Sequence, residues 1–68
     1  MRELIKMGDR FYCENNGVYL TVDGVDQSSH VLHCVEEGVN DVGDLVIIGT
    51  GLYTEGELRS ARWKKVIA

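Results

Sequence analysis

The dipeptide Asn16-Gly17, set between two alternating runs over residues 10–25, constrains this chain more than any other feature. A two-residue type I′ turn needs positive φ at both centres, and Asn-Gly adopts that pair most cheaply. The turn predicts a β-hairpin in which Asn15 faces Val18, Cys13 faces Leu20 and Phe11 faces Val22, while Glu14 meets Tyr19, Tyr12 meets Thr21 and Arg10 meets Asp23. One face is then wholly apolar. The other carries Tyr12, Tyr19, Thr21 and a cross-strand ion pair between Arg10 and Asp23.

A chain of 68 residues makes one small domain spanning 1–68. At this size folding buries only about 60% of the unfolded surface, so an oligomer or a partner would add needed burial. The longest apolar run, residues 45–48, is far short of a membrane span, and residues 1–4 lack the apolar core of a signal peptide. The expected compartment is cytoplasmic, with Cys13 and Cys34 as reduced thiols.

The net charge of −4 conceals a segregation. Between Phe11 and Leu58 stand Glu14, Asp23, Asp26, Glu36, Glu37, Asp41, Asp44, Glu55 and Glu57, with no Lys or Arg; the cations Arg2, Lys6, Arg10, Arg59, Arg62, Lys64 and Lys65 all lie outside. Two readings follow. A closed barrel would bring the two chain ends together so that basic termini partly neutralise an acidic body, or an acidic surface would steer a basic partner towards it. Phosphate contacts need cations, so nonspecific nucleic-acid binding by the central surface is disfavoured.

Along the chain, residues 1–7 fit either a short amphipathic turn or a strand. Gly8-Asp9 precedes the first hairpin strand, and the same signature returns at Gly43-Asp44, which predicts two equivalent strand starts. Gly24 predicts a bulge or a bend in a long second strand. A polar turn over 26–29 leads to a third strand over 30–35 and an acidic loop over 36–44, long enough to bind a partner. Residues 45–48 predict a strand covered on both faces. Gly49-Thr50-Gly51 predicts a turn, followed by a brief strand at Leu52-Tyr53. Thr54 with Glu57 is a capping-box pattern, so a helix is expected from Glu55 to about Ala61, with Glu55 and Arg59 paired at i,i+4. A last strand runs over 63–67, with Trp63 in or beside the core.

Catalytic chemistry finds little support. His30 and His33 fall on opposite sides of a strand, and no second close Cys or His pair completes a zinc site with Cys13 and Cys34. Neither cysteine has a basic neighbour to lower its pKa. Gly49-Thr50-Gly51 lacks the third glycine of a phosphate-cradling loop, because Thr54 stands there. The chain therefore reads as a non-enzyme with no cofactor and no metal.

The run Met7-Gly8-Asp9-Arg10-Phe11, the tight hairpin, a long bent second strand and a helical turn before the terminal strand resemble the Src-homology-3-like small barrels. Length and style also resemble the small proteins of phages and other mobile elements. The resemblance implies a mainly β, five-stranded barrel with one short helix before the last strand. Peptide-binding members of that fold use an aromatic groove, for which only Tyr12, Tyr19, Tyr53 and Trp63 are at hand here, so their activity is not carried over.

The leading expectation is a protein-interaction module that binds a basic partner through Tyr12, Tyr19, Glu36, Glu37, Asp41 and Asp44, as a phage-type accessory or inhibitor would. One alternative is nucleic-acid or nucleotide binding through Arg59, Arg62, Trp63 and Lys65. Another is a homo-oligomer that holds a small ligand between subunits.

Overall fold

A computed structural model describes residues 5–66. Five antiparallel strands, β1 (Arg10–Cys13), β2 (Val18–Asp26), β3 (Val31–Val39), β4 (Leu45–Thr54) and β5 (Lys64–Val66), surround one short helix, α1 (Glu55–Leu58), which precedes β5. The strand order is β4-β3-β2-β1-β5. The sheet is open. Among the described residues β4 is paired with β3 alone and β5 with β1 alone, so the expected closure into a barrel is absent.

The first hairpin forms with the expected faces but a different register. Phe11 pairs with Leu20 and Tyr12 with Tyr19, a shift of two residues from the pairing that an Asn16-Gly17 turn would give. The loop is Glu14 to Gly17, closed by the Gly17 N–H donating to the Cys13 carbonyl at 2.9 Å. Only Gly17 takes positive φ (+71°), while the Asn16 side chain accepts from the Val18 N–H at 3.0 Å. A shift of two leaves every side chain on its face, so the apolar pattern could not distinguish the two registers.

β2 is bulged at Asp23, between Val22 and Gly24, as Gly24 predicts. Gly8 and Gly43 both adopt positive φ, +91° and +89°, and each stands two residues before a strand, at Arg10 and at Leu45, so the repeated Gly-Asp signature does mark equivalent strand starts. The core lies on one face of β1, β2 and β3, where Phe11, Leu20, Val22, Leu32 and Cys34 are buried together with Leu58 from α1. Ile5, Val18, Tyr53 and Trp63 close its rim. The capping box forms as its residues predict: Glu57 N–H donates to Thr54 Oγ1 at 3.2 Å, and Thr54 N–H donates to Glu57 Oε1 at 3.1 Å. The helix ends at Leu58, short of Ala61, where the Ser60 N–H and hydroxyl both turn back to the Glu57 carbonyl. Residues 1–4 of the ambiguous leading segment, and the end of the last strand at Ile67, lie outside the described residues.

Two corrections concern the middle of the chain. Glu36 and Glu37 belong to β3, not to a loop, and the acidic loop shrinks to Asn40, Asp41, Val42, Gly43 and Asp44. Residues 45–48 are not covered on both faces. They begin a ten-residue edge strand in which Ile47 is 70% exposed and Ile48 59%, and which continues through Gly49-Thr50-Gly51 without turning. With its tip around Val42, this β3–β4 hairpin lengthens the molecule to 39 × 20 × 20 Å. The radius of gyration, 12.0 Å, exceeds the roughly 11 Å expected of a compact chain this long.

Candidate functional site

Gly49 and Gly51 explain how a strand can run where a turn is expected. Leu20, Glu36 and Gly49 are cross-strand neighbours, as are Cys34 and Gly51, so both glycines sit on the core face of β4. A Cβ on Gly49 would come within 3.2 Å of Glu36 Oε1; one on Gly51 would come within 3.1 Å of Glu36 Oε2 and 2.9 Å of Tyr53 Cε2. The space they leave holds the Glu36 carboxylate, which accepts the Tyr53 hydroxyl at 2.5 Å. Burial first, then the hydrogen bond to Glu36, pushes the Tyr53 phenol up to about 12. Tyr53 in turn meets Trp63 edge-on at 6.0 Å. Glu36 is thus a half-buried acceptor on the core face of the sheet.

On the opposite face Tyr12 and Tyr19 stack with ring centroids 4.6 Å apart, and the Arg10 guanidinium lies 5.2 Å from the Tyr19 ring. Arg10 pairs with Glu37 at 3.4 Å, not with Asp23, because the two-residue register shift sets Arg10 opposite Thr21 and brings β3 within reach. The Thr21 hydroxyl also donates to Glu37, at 3.4 Å. Tyrosine pair, guanidinium and carboxylate therefore form one half-buried cluster, with Glu37 neutralised by Arg10.

Beyond this cluster the β3–β4 hairpin carries Val39, Val42, Leu45, Val46, Ile47 and Ile48, all exposed. At its base a groove of about 470 Å³ runs between Val18, Tyr12 and Tyr19 on one side and Val39, Val46 and Ile48 on the other. Asp41 and Asp44 stand at the tip, where Asn40 Oδ1 accepts the N–H groups of Val42 and Asp44 at 3.1 and 2.9 Å and fixes the loop. Of the six partner-binding candidates, the structure brings Tyr12, Tyr19 and Glu37 together, turns Glu36 inward and leaves Asp41 and Asp44 on the hairpin tip. The exposed apolar side chains beside them were missed. The available signal was the absence of any charge over residues 45–54 in a chain otherwise rich in charge.

The basic segment is tied to carboxylates. Arg59 pairs with Glu55 at 2.9 Å, the expected i,i+4 bridge, Lys64 with Glu14 at 2.6 Å and Lys65 with Asp9 at 3.6 Å. Trp63 is half-buried against the core, and Arg62 is exposed. The pairing of β5 with β1 brings the late cations onto the acidic body, which is the neutralising reading of the charge layout. The Cys34 thiol is buried and pushed up to about 11, by burial and then by Glu36, so it is protonated at neutral pH. Ser28 and Ser29 hold Asp26 below the usual carboxylate range through hydrogen bonds in an exposed turn.

No protein-family model, curated protein or solved structure matches this chain.

Proposed function

We propose that the protein is a non-catalytic protein-interaction module whose contact surface is the β3–β4 hairpin together with the tyrosine cluster at its base. One observation carries the reading: six large apolar side chains between Val39 and Ile48 are exposed on a single projecting hairpin. Exposed apolar side chains gathered on one element mark a place of contact, and here they occupy both faces of the hairpin, Val39, Leu45 and Ile47 on one and Val46 on the other. Tyrosine and arginine beside it are residue types enriched in interfaces. The contact is more apolar and less acidic than the charge layout alone suggests, since Glu36 and Glu37 are engaged within the sheet. Asp41 and Asp44 remain to orient a partner with a basic rim. The first hairpin, the bulged second strand and the helical turn before β5 support a Src-homology-3-like layout, here left unclosed. An accessory or inhibitor role of the phage type would use the same surface.

The test is the native mass of the chain in a mixture of soluble proteins, wild type against a Val39→Ser, Ile47→Lys variant. The wild type is expected in assemblies heavier than one chain and the variant at the mass of one chain. Identical distributions for the two would overturn the reading.

A further inference from the structure

Resting on the contact surface of that reading, though not on its basic-rimmed partner, we propose that the partner is a second copy of this chain, with the two β4 strands paired edge to edge and antiparallel about a twofold axis into one ten-stranded sheet. Natural sheets blunt their edges with short strands, lysines and prolines. The β5 edge has two of these devices, being three residues long among the described residues and carrying Lys64 and Lys65. The β4 edge lacks all three, running ten residues from Leu45 to Thr54 with no charged residue and no proline; its one protecting device is a bulge at Ile48. Among the described residues it is paired on one side alone. On either side of that bulge it presents main-chain donors and acceptors ready for another strand.

Charge selects the occupant and the orientation. A strand from a basic partner would find no carboxylate along this edge. Two copies of a chain with net charge −4 repel each other, and they do so least along the stretch that carries no charge. Parallel pairing would set Asp44 beside Asp44 of the other copy. Antiparallel pairing sets Asp41 and Asp44 against the far end of β4, where Glu55 is already paired with Arg59. The twofold arrangement uses one patch on both copies and closes at two.

Five side chains of β4, Leu45, Val46, Ile47, Ile48 and Leu52, are exposed large hydrophobics. At on the order of 100 Å² for each when fully buried, two copies could remove at most roughly 1,000 Å², below the size of a standard stable interface. The dimer is accordingly concentration-dependent. Because like-charged bodies are brought together, added salt strengthens it.

Sedimentation equilibrium of the purified chain from about 1 μM to about 1 mM, the range over which weak association becomes visible, tests this directly. The wild type should rise from the mass of one chain to a plateau at two, more readily as salt is raised. Ile47→Lys with Ile48→Lys should stay at one chain while keeping the wild-type circular dichroism. Met7→Lys, at a 64% exposed position before β1 and off the β4 edge, should dimerise like the wild type. A wild type that stays at one chain throughout overturns self-pairing, and so does a mass that passes two without a plateau or a dimer that survives the double lysine variant. None of these results touches the broader reading, which stands or falls on the mixture experiment with the Val39→Ser, Ile47→Lys variant, where pairing with a different protein would appear.

Discussion

Removing the Tyr53 hydroxyl should cost more than its position at the rim of the core suggests. The hydroxyl donates to Glu36 at 2.5 Å, and the carboxylate that accepts it is confined over Gly49 and Gly51. Hydrogen bonds to charged groups contribute about 1.5–3 kcal/mol, and partial exposure of both residues places this one at about 1.5 kcal/mol or below. Tyr53→Phe keeps the ring and its contact with Trp63, so the loss is confined to the hydrogen bond. In a domain this small, about 1.5 kcal/mol corresponds to a fall in melting temperature of roughly 6–12 °C. Urea unfolding of wild type, Tyr53→Phe, Glu36→Met and the double variant, in dilute protein, isolates the pair. A coupling energy of about 1 kcal/mol is expected, with the slope against urea unchanged. Coupling under about 0.3 kcal/mol, the range of independent sites, would refute the argument that β4 is held to β3 by this bond.

The other predictions concern neighbouring features. Gly51→Ala forces Tyr53 and Glu36 apart and should cost about 1–3 kcal/mol by urea unfolding, with Gly49→Ala costing less because only one carboxylate oxygen must move. Thr54→Ala removes the cap of α1 and should lower stability by about 0.5–2 kcal/mol. Leu58→Ala, which empties the one helical side chain in the core, should cost about 2–5 kcal/mol. Cys34 and Tyr53 both have folded pKa values raised above their unfolded ones. The folded state then retains protons that the unfolded state has lost, so their stabilisation is complete below about pH 9 and disappears as pH rises through about 11 and 12. Unfolding midpoints should fall across that window, and less steeply in Tyr53→Phe; equal slopes for the two proteins would contradict the assignment.

What the sequence revealed and what it hid divide along a physical line. Alternation at Phe11, Cys13, Leu20 and Val22 against Tyr12, Tyr19 and Thr21 gave the correct faces, because burial enforces parity. Register escaped, since a shift of two keeps parity and Glu14 and Asn15 can extend the loop as readily as the strands. The capping box at Thr54 and Glu57 and the bulge beside Gly24 are local chemistry, and both were legible. Glu36 and Glu37 looked like loop residues because charge usually stays in water; their partners Tyr53, Arg10 and Thr21 are distant in sequence. Gly49-Thr50-Gly51 looked like a turn because glycine weakens strands, and only the carboxylate above them shows why two glycines at alternate positions suit a strand. Whether residues 45–48 lie in the centre or at the edge of a sheet is a matter of topology. An apolar run is the same in either place, so the exposed hairpin, which carries most of the functional argument, had no unambiguous sequence signal.

Hydrogen exchange of β4 in dilute protein tests the central claim most directly, because the contact surface exists only if this strand is an open edge. The account predicts that β3, bonded on both sides from Val31 to Glu37, is protected over that stretch, while amides on the free side of β4 between Leu45 and Thr54 exchange rapidly. Uniform protection of every amide along β4 at the same dilution would mean that the edge is already covered within one chain. The open sheet, and the interaction surface built on it, would then be wrong.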